Sequence, residues 1–113
     1  MKKYALFIGR FQPLHGGHRY LFSTKISEGI PVCIAIRDVE VDENNPWYAQ
    51  QIKEHIETEL SAWVESGMLK VIIIPDIEGV YYGRGVGYKV EEIVAPKEIQ
   101  SISATKIRKS MGI

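Results

Sequence analysis

Cysteine is almost missing from this chain. Cys33 is the only one in 113 residues, so neither a disulfide framework nor a cysteine-built zinc site is open to it. It lies in the apolar stretch 31–36, which reads as a buried strand, so a core thiol is expected rather than an exposed reactive one. Net charge is missing too. Fourteen Lys and Arg balance fourteen Asp and Glu, so no broad basic field points to nucleic acid or to a membrane surface, and any anion site must be a local cluster. No uninterrupted apolar run exceeds about six residues, far below the ~20 that span a bilayer. Lys2 and Lys3 are not followed by an extended apolar segment, so no signal peptide is expected and the chain reads as cytoplasmic. Repeats and low-complexity tracts are also lacking.

What is present suits one globular domain over residues 1–113. Apolar residues make up 45% and charged residues 25%, and the length allows a real core. Residues 4–8 and 32–36 are short apolar runs that read as strands. Between them, Tyr20, Leu21 and Ile26 recur at roughly helical spacing, and Gly29-Ile30-Pro31 ends that helix. Strand–helix–strand implies a parallel pair with a right-handed crossover. Ala49, Ile52, Ile56, Leu60, Trp63 and Val64 then repeat every three or four residues, which predicts one amphipathic helix over 46–66 with Pro46 in its first turn and Gly67 at its end. Residues 69–74 form a β-branched third strand. Alternating strands and helices argue for an α/β doubly wound sheet. Beyond Asp76, residues 79–82 and 90–95 read as short strands around a glycine-rich turn, and 103–111 as a C-terminal helix capped by Ser103.

The chemistry concentrates directly after the first strand, in Gly9-Arg10-Phe11-Gln12-Pro13-Leu14-His15-Gly16-Gly17-His18. Two histidines flank two glycines where strand passes into helix, the place where open α/β sheets hold phosphates. Glycines let backbone amides approach an anion, and imidazoles there can donate hydrogen bonds to a polyphosphate and to the charge that develops on its cleavage. Taken alone, the same residues would serve as a helix cap with a permissive turn.

This segment resembles the signature of the HxGH nucleotidylyltransferases, and its Arg-Phe-Gln-Pro form is most similar to the archaeal-type nicotinamide mononucleotide (NMN) adenylyltransferases. Ile102-Ser103-Ala104-Thr105-Lys106-Ile107-Arg108 resembles that superfamily's second motif, and the two motifs stand in the expected order across nearly the whole chain. The resemblance implies a Rossmann-like open parallel sheet with helices on both faces. It also implies transfer of a nucleoside monophosphate, foremost AMP from ATP, to a phosphorylated small molecule such as NMN, with release of pyrophosphate. His15, His18 and Arg108 are its implied catalytic residues. Gly9, Arg10, Phe11, Gly17, Ser103, Thr105 and Lys106 are its implied nucleotide and phosphate contacts, with Phe11 and Gln12 expected mainly to shape the loop. Mg²⁺ would arrive with the triphosphate, since no protein-built metal site is visible in the sequence.

The acceptor side is less defined. Arg37 and Asp38, at the ligand-binding end of the second strand, together with Trp47 and Arg84, are candidates for acceptor or nucleotide contacts. Gly83-Arg84-Gly85-Val86-Gly87 lacks the Gly-x-Gly-x-x-Gly spacing and reads as a turn. An arginine usual in the second helix of the family corresponds to Ile52, and the segment 79–96 is condensed. Two alternatives therefore stand beside the adenylyltransferase: a cytidylyltransferase using CTP and a small phosphate ester, and a non-catalytic nucleotide-binding regulatory module. Nucleic acid and membrane are not expected as partners. A sheet domain with this much apolar edge is a candidate homo-oligomer.

Overall fold

In the computed structural model, residues 2–85 and 87–112 are described; Val86 of the glycine-rich turn lies outside them. Three parallel strands form one open sheet in the order β1 (Ala5–Gly9), β2 (Val32–Asp38), β3 (Leu69–Pro75). Ala5 pairs with Val32, and Val32 with Leu69. The central strand runs two residues beyond its apolar core, because pairing with β3 continues through Arg37↔Ile74 and Asp38↔Pro75.

Helix α1 (Gly16–Ser27) links β1 to β2, and α2 (Ala49–Glu59) with the short α3 (Ser61–Glu65) links β2 to β3. Gly29 and Gly67 follow the two helical segments at φ +79° and +78°, a left-handed turn that costs glycine nothing. The expected single helix over 46–66 is divided. Its first turn begins at Ala49 rather than Pro46, with the Gln51 side chain accepting from the Tyr48 N–H at 2.8 Å. At Leu60 the backbone leaves helical geometry (φ −113°, ψ 30°). Leu60 is buried there, with Trp63 and Val64 packed beside it against the core.

Both linking helices pack on the same face. Phe22 of α1 and Ile52 and Ile56 of α2 share one cluster with Val32, Ile34, Ile36, Leu69 and Val71 of the sheet. Two right-handed crossovers that advance in one direction must place their helices on one side. Strand alternation sends Leu6, Ile8, Cys33, Ala35, Ile72 and Ile74 to the opposite side. Leu6 is 58% exposed and Ile8 36%. Of the two faces expected to carry helices, only one is covered, since the second is filled in such folds by helices that follow a reversal of strand order. Cys33 is accordingly half-buried, and burial pushes its thiol pKa up.

Phe22 is the largest fully buried side chain and meets Phe7 edge-on at 5.3 Å between ring centroids. Truncating it to alanine is expected to cost about 3–5 kcal/mol, read as a fall in the urea midpoint.

Among the described residues of 76–96 none is in a strand or helix, so the two short strands expected over 79–82 and 90–95 are absent. Gly79, Gly83, Gly85 and Gly87 break any alternation, and extended order without a pairing partner does not repay the lost entropy. Helices α4 (Lys97–Gln100) and α5 (Ala104–Ser110) close the chain, α4 against α1. Among the described residues no helix is long and apolar enough to cross a membrane.

Candidate functional site

The loop between β1 and α1 is held in an unusual conformation by its own side chains. Phe11 has φ +53°, a region that costs a non-glycine residue roughly 1–2 kcal/mol. Its ring is buried and folds back over Gly9, where a Cβ would come within 3.1 Å of it. Any side chain at residue 9 would press on the Phe11 ring, which would have to give by a few tenths of an ångström. The far side of the Phe11 ring meets His18 edge-on at 4.8 Å.

His15 is the N-cap of α1. The N–H groups of Gly17 and His18 donate to His15 Nδ1 at 3.1 and 3.4 Å, and the His15 N–H donates to His18 Nδ1 at 3.1 Å. This is a capping box built from two imidazoles. The rings stack at 3.7 Å between centroids, 17° from parallel. A Cβ on Gly17 would lie 2.8 Å from His15 Cε1, so glycine alone permits the arrangement.

The capping pattern sets the tautomers. A ring nitrogen that accepts a backbone N–H carries no proton, so in both imidazoles the proton resides on Nε2. Burial pushes the His15 pKa down. Burial, reinforced by the neighbouring His15, pushes that of His18 from 6.5 to about 3. At neutral pH the pair consists of two uncharged Nε2–H donors at the positive end of a twelve-residue helix.

Because the folded His18 pKa lies below the unfolded value, the unfolded chain takes up the proton first. Its contribution to stability is complete above about pH 6.5 and is lost as the pH falls toward 3, on the order of 1 kcal/mol per pH unit. The fall in melting temperature between pH 6.5 and 4.5 should therefore be steeper for the wild type than for His18→Asn. Superimposable curves would refute this assignment.

The second motif comes back against the first. The Ile102 side chain lies over Gly16, where a Cβ would be 3.3 Å from its Cδ1. Ser103 caps α5, its Oγ accepting from the Lys106 N–H at 3.2 Å. Arg108 is buried. It donates from Nη1 to the carbonyl oxygen of Gln12, 96 residues earlier, and from Nη2 to Thr105 Oγ1 at 3.4 Å. No carboxylate pairs with it among the described residues. Thr105 and Lys106 are exposed, and Lys106 Nζ reaches the Ser101 carbonyl at 3.4 Å.

Other expected contacts are engaged within the fold. Arg10 donates to Asn45 Oδ1 at 3.2 Å. Asn45 is buried, and its side chain and N–H bond Asp42, holding that carboxyl below the usual range. Arg37 pairs with Asp76 at 2.7 Å and reaches the Ile77 carbonyl, tying the ends of β2 and β3 together. Asp38 and Arg84 are exposed, Arg84 within the irregular segment.

Gln12, expected to shape the loop, does so by tying it to its neighbours. Gln12 is buried, donates from Nε2 to the Trp47 carbonyl at 2.9 Å and accepts the Trp47 N–H on Oε1 at 3.2 Å. With its own carbonyl bound by Arg108, it joins three segments. His55, exposed on α2, lines a cavity of about 260 Å³ together with Pro13, Trp47, Gln51, Ile52 and Met111. Nothing in the helix pattern marked His55 as a cavity residue.

The histidine pair itself opens on a cleft of about 320 Å³ between His15, His18 and Leu21 on one side and Ile93, Ile99 and Ile102 on the other. Among the described residues no three His, Cys, Asp or Glu side chains converge to hold a metal ion. Compared with known proteins, the chain matches no family model, no curated protein and no solved structure.

Proposed function

We propose that this chain is a nucleotidylyltransferase of the HxGH type, in which the phosphate of a phosphorylated small molecule attacks the α-phosphorus of a nucleoside triphosphate. The observation that carries this reading is the reciprocal histidine cap. It presents two fixed, neutral Nε2–H donors at the N-terminus of α1, in a loop whose Gln12 carbonyl is held by a buried arginine that has no carboxylate partner among the described residues. A buried cation of that kind is strongly destabilising unless an anion compensates it.

In this reading one bond forms, from an acceptor phosphate oxygen to the α-phosphorus, and one breaks, from the α-phosphorus to the α–β bridging oxygen, which leaves with pyrophosphate. The acceptor oxygen is already anionic, so no general base or protein nucleophile is needed. His15 and His18 donate to the α-phosphate and bridging oxygens, where negative charge grows as the bond breaks, and their pre-set tautomers require no reorganisation. Arg108 supplies the charge that faces the leaving pyrophosphate, with Ser103 and Thr105 beside it. Mg²⁺ carried with the triphosphate would neutralise part of its charge. ATP is the favoured donor and CTP the alternative; the acceptor is a phosphorylated metabolite such as NMN.

A non-catalytic nucleotide-binding module is the second reading. The observation favouring it is the commitment of Arg37 to Asp76 and the Ile77 carbonyl, which withdraws one cation from the acceptor side. Incubation with Mg²⁺, ATP or CTP and a mixture of phosphorylated metabolites, followed by mass spectrometry, separates the two. A product heavier than one acceptor by a nucleoside monophosphate is expected, with an equal amount of pyrophosphate. Binding of nucleotide without any product would leave the module.

A further inference from the structure

The outer edge of β1 has no pairing partner among the described residues. The Ala5 N–H donates to the Pro31 carbonyl at 2.8 Å, so in this parallel register Ala5, Phe7 and Gly9 turn their backbone groups to β2. Leu6 and Ile8 turn theirs outward. Those four polar groups make no hydrogen bond to the described residues. Free edges of this kind are usually blunted by lysine, proline or a bulge. The opposite edge, β3, carries the exposed Lys70 and Pro75, and β1 carries neither.

A segment without backbone partners lies beside that edge. Residues 88–94 make no backbone hydrogen bond among the described residues, although Tyr88, Val90, Ile93 and Val94 favour extended structure. Period two places Val90, Glu92 and Val94 on one face and Glu91 and Ile93 on the other. Val90 and Val94 are 68% and 69% exposed, and Ile93 is half-buried. Residues 92–95 wall the histidine cleft beside His18 and Leu21, and the chain then enters α4, which packs on α1. Helix α1 lies over β1, where Phe22 meets Phe7, and α2 holds its other flank through Arg19 and Glu59. The segment therefore runs along the flank of α1 that faces the β1 edge.

We infer that residues 88–94 are a strap that docks on the β1 edge as a fourth strand and closes the histidine cleft over a bound triphosphate ligand. Docking gives the outward groups of Leu6 and Ile8 their partners. It sets Val90 and Val94 beside the exposed Leu6 and Ile8 on the uncovered face of the sheet and keeps Ile93 toward the helices. In the free chain, ordering seven residues costs more entropy than the edge returns, so the open arrangement prevails. The ligand link rests on the anion-site reading. A ligand held by His15 and His18 also touches residues 92–95, so it favours the closed arrangement and draws the population toward it. Closure then shields the reacting phosphates from water.

Thiol cross-linking traps even a minor closed population without any ligand. In a Cys33→Ala background, Ile8→Cys is combined in turn with Val90→Cys, Glu92→Cys, Val94→Cys and, for the other face, Glu91→Cys. Each is treated with dibromobimane, which fluoresces only when it bridges two neighbouring thiols. At least one pair from the Val90 face should bridge within one chain roughly tenfold faster than the Glu91 pair, since alternation separates the two faces. Equal rates would overturn the strap, and so would cross-linked dimers in place of the internal bridge, which would give the edge to a second copy. Mg²⁺-ATP and Mg²⁺-tripolyphosphate test the link to the ligand. With either bound, amide exchange at Leu6 and Ile8 should slow roughly tenfold or more. One of Glu92→Pro and Ile93→Pro, whichever removes a donor to β1, should abolish that protection. Binding without protection would overturn the link. If neither probe binds, the anion site falls, and the cross-linking rates still decide the strap.

Discussion

Replacing His18 by asparagine is expected to lower the rate of nucleotidyl transfer a hundredfold or more while the protein stays folded. The asparagine Oδ1 can take over from Nδ1 as acceptor of the His15 N–H, preserving half of the reciprocal cap. What it cannot supply is the Nε2–H on the far side of the ring. Removing a single pre-oriented donor from a site of developing negative charge typically costs a factor of 10²–10³ in kcat. Some stability is lost as well, because the ring packs against Phe11, and rates should be compared well below the melting temperature. His18→Ala is the harsher substitution, leaving the His15 N–H without its acceptor. An asparagine variant with near wild-type turnover would remove the histidine pair from the chemistry.

Arg108→Met separates binding from folding. A buried guanidinium with no carboxylate partner among the described residues is costly in the free protein, and apolar replacements of buried charges are often neutral or stabilising. The ligand-free variant is therefore expected to melt at or above the wild-type temperature, despite losing the bond to the Gln12 carbonyl. Its affinity for Mg²⁺-triphosphate should fall on the order of a hundredfold, the weight of a desolvated charge-assisted contact. A variant that unfolds but binds normally when folded would make Arg108 a purely structural tie.

How far these features could be read from the sequence differed by element. The strand–helix–strand start was legible because its two apolar runs and the glycine stop at residue 29 are local signals, and the parallel pairing followed from the crossover. The break at Leu60 was not legible. The apolar spacing from Ile52 to Val64 continues through it without a glycine or proline, and only the three-dimensional position of the core decides which way Trp63 turns. The short strands expected around residues 79–95 failed for the opposite reason: β-branched and aromatic residues favour extended structure locally, but a strand also needs an edge to pair with.

The site was partly legible too. His15, Gly17 and His18 stood out by spacing, yet the mutual capping that fixes their tautomers depends on rings meeting at 3.7 Å, a contact no spacing rule specifies. Arg108 was expected to face the ligand, and its bond to the Gln12 carbonyl, 96 residues away, came only with the fold. Arg37 looked like a ligand contact because it ends a strand at the binding edge. The partner that engages it, Asp76, sits at the end of the neighbouring strand, visible only once β2 and β3 are paired.

The central claim is that an acceptor phosphate attacks the α-phosphorus, and oxygen isotopes test it most directly. With the acceptor's phosphate oxygens labelled with ¹⁸O and unlabelled Mg²⁺-triphosphate as donor, the product should contain a new diphosphate whose bridging oxygen is labelled and whose labelled non-bridging oxygens all lie on the acceptor's phosphorus. The pyrophosphate released should be unlabelled. Formation of a nucleoside diphosphate with a phosphorylated acceptor, or release of inorganic phosphate with no joined product, would contradict the account.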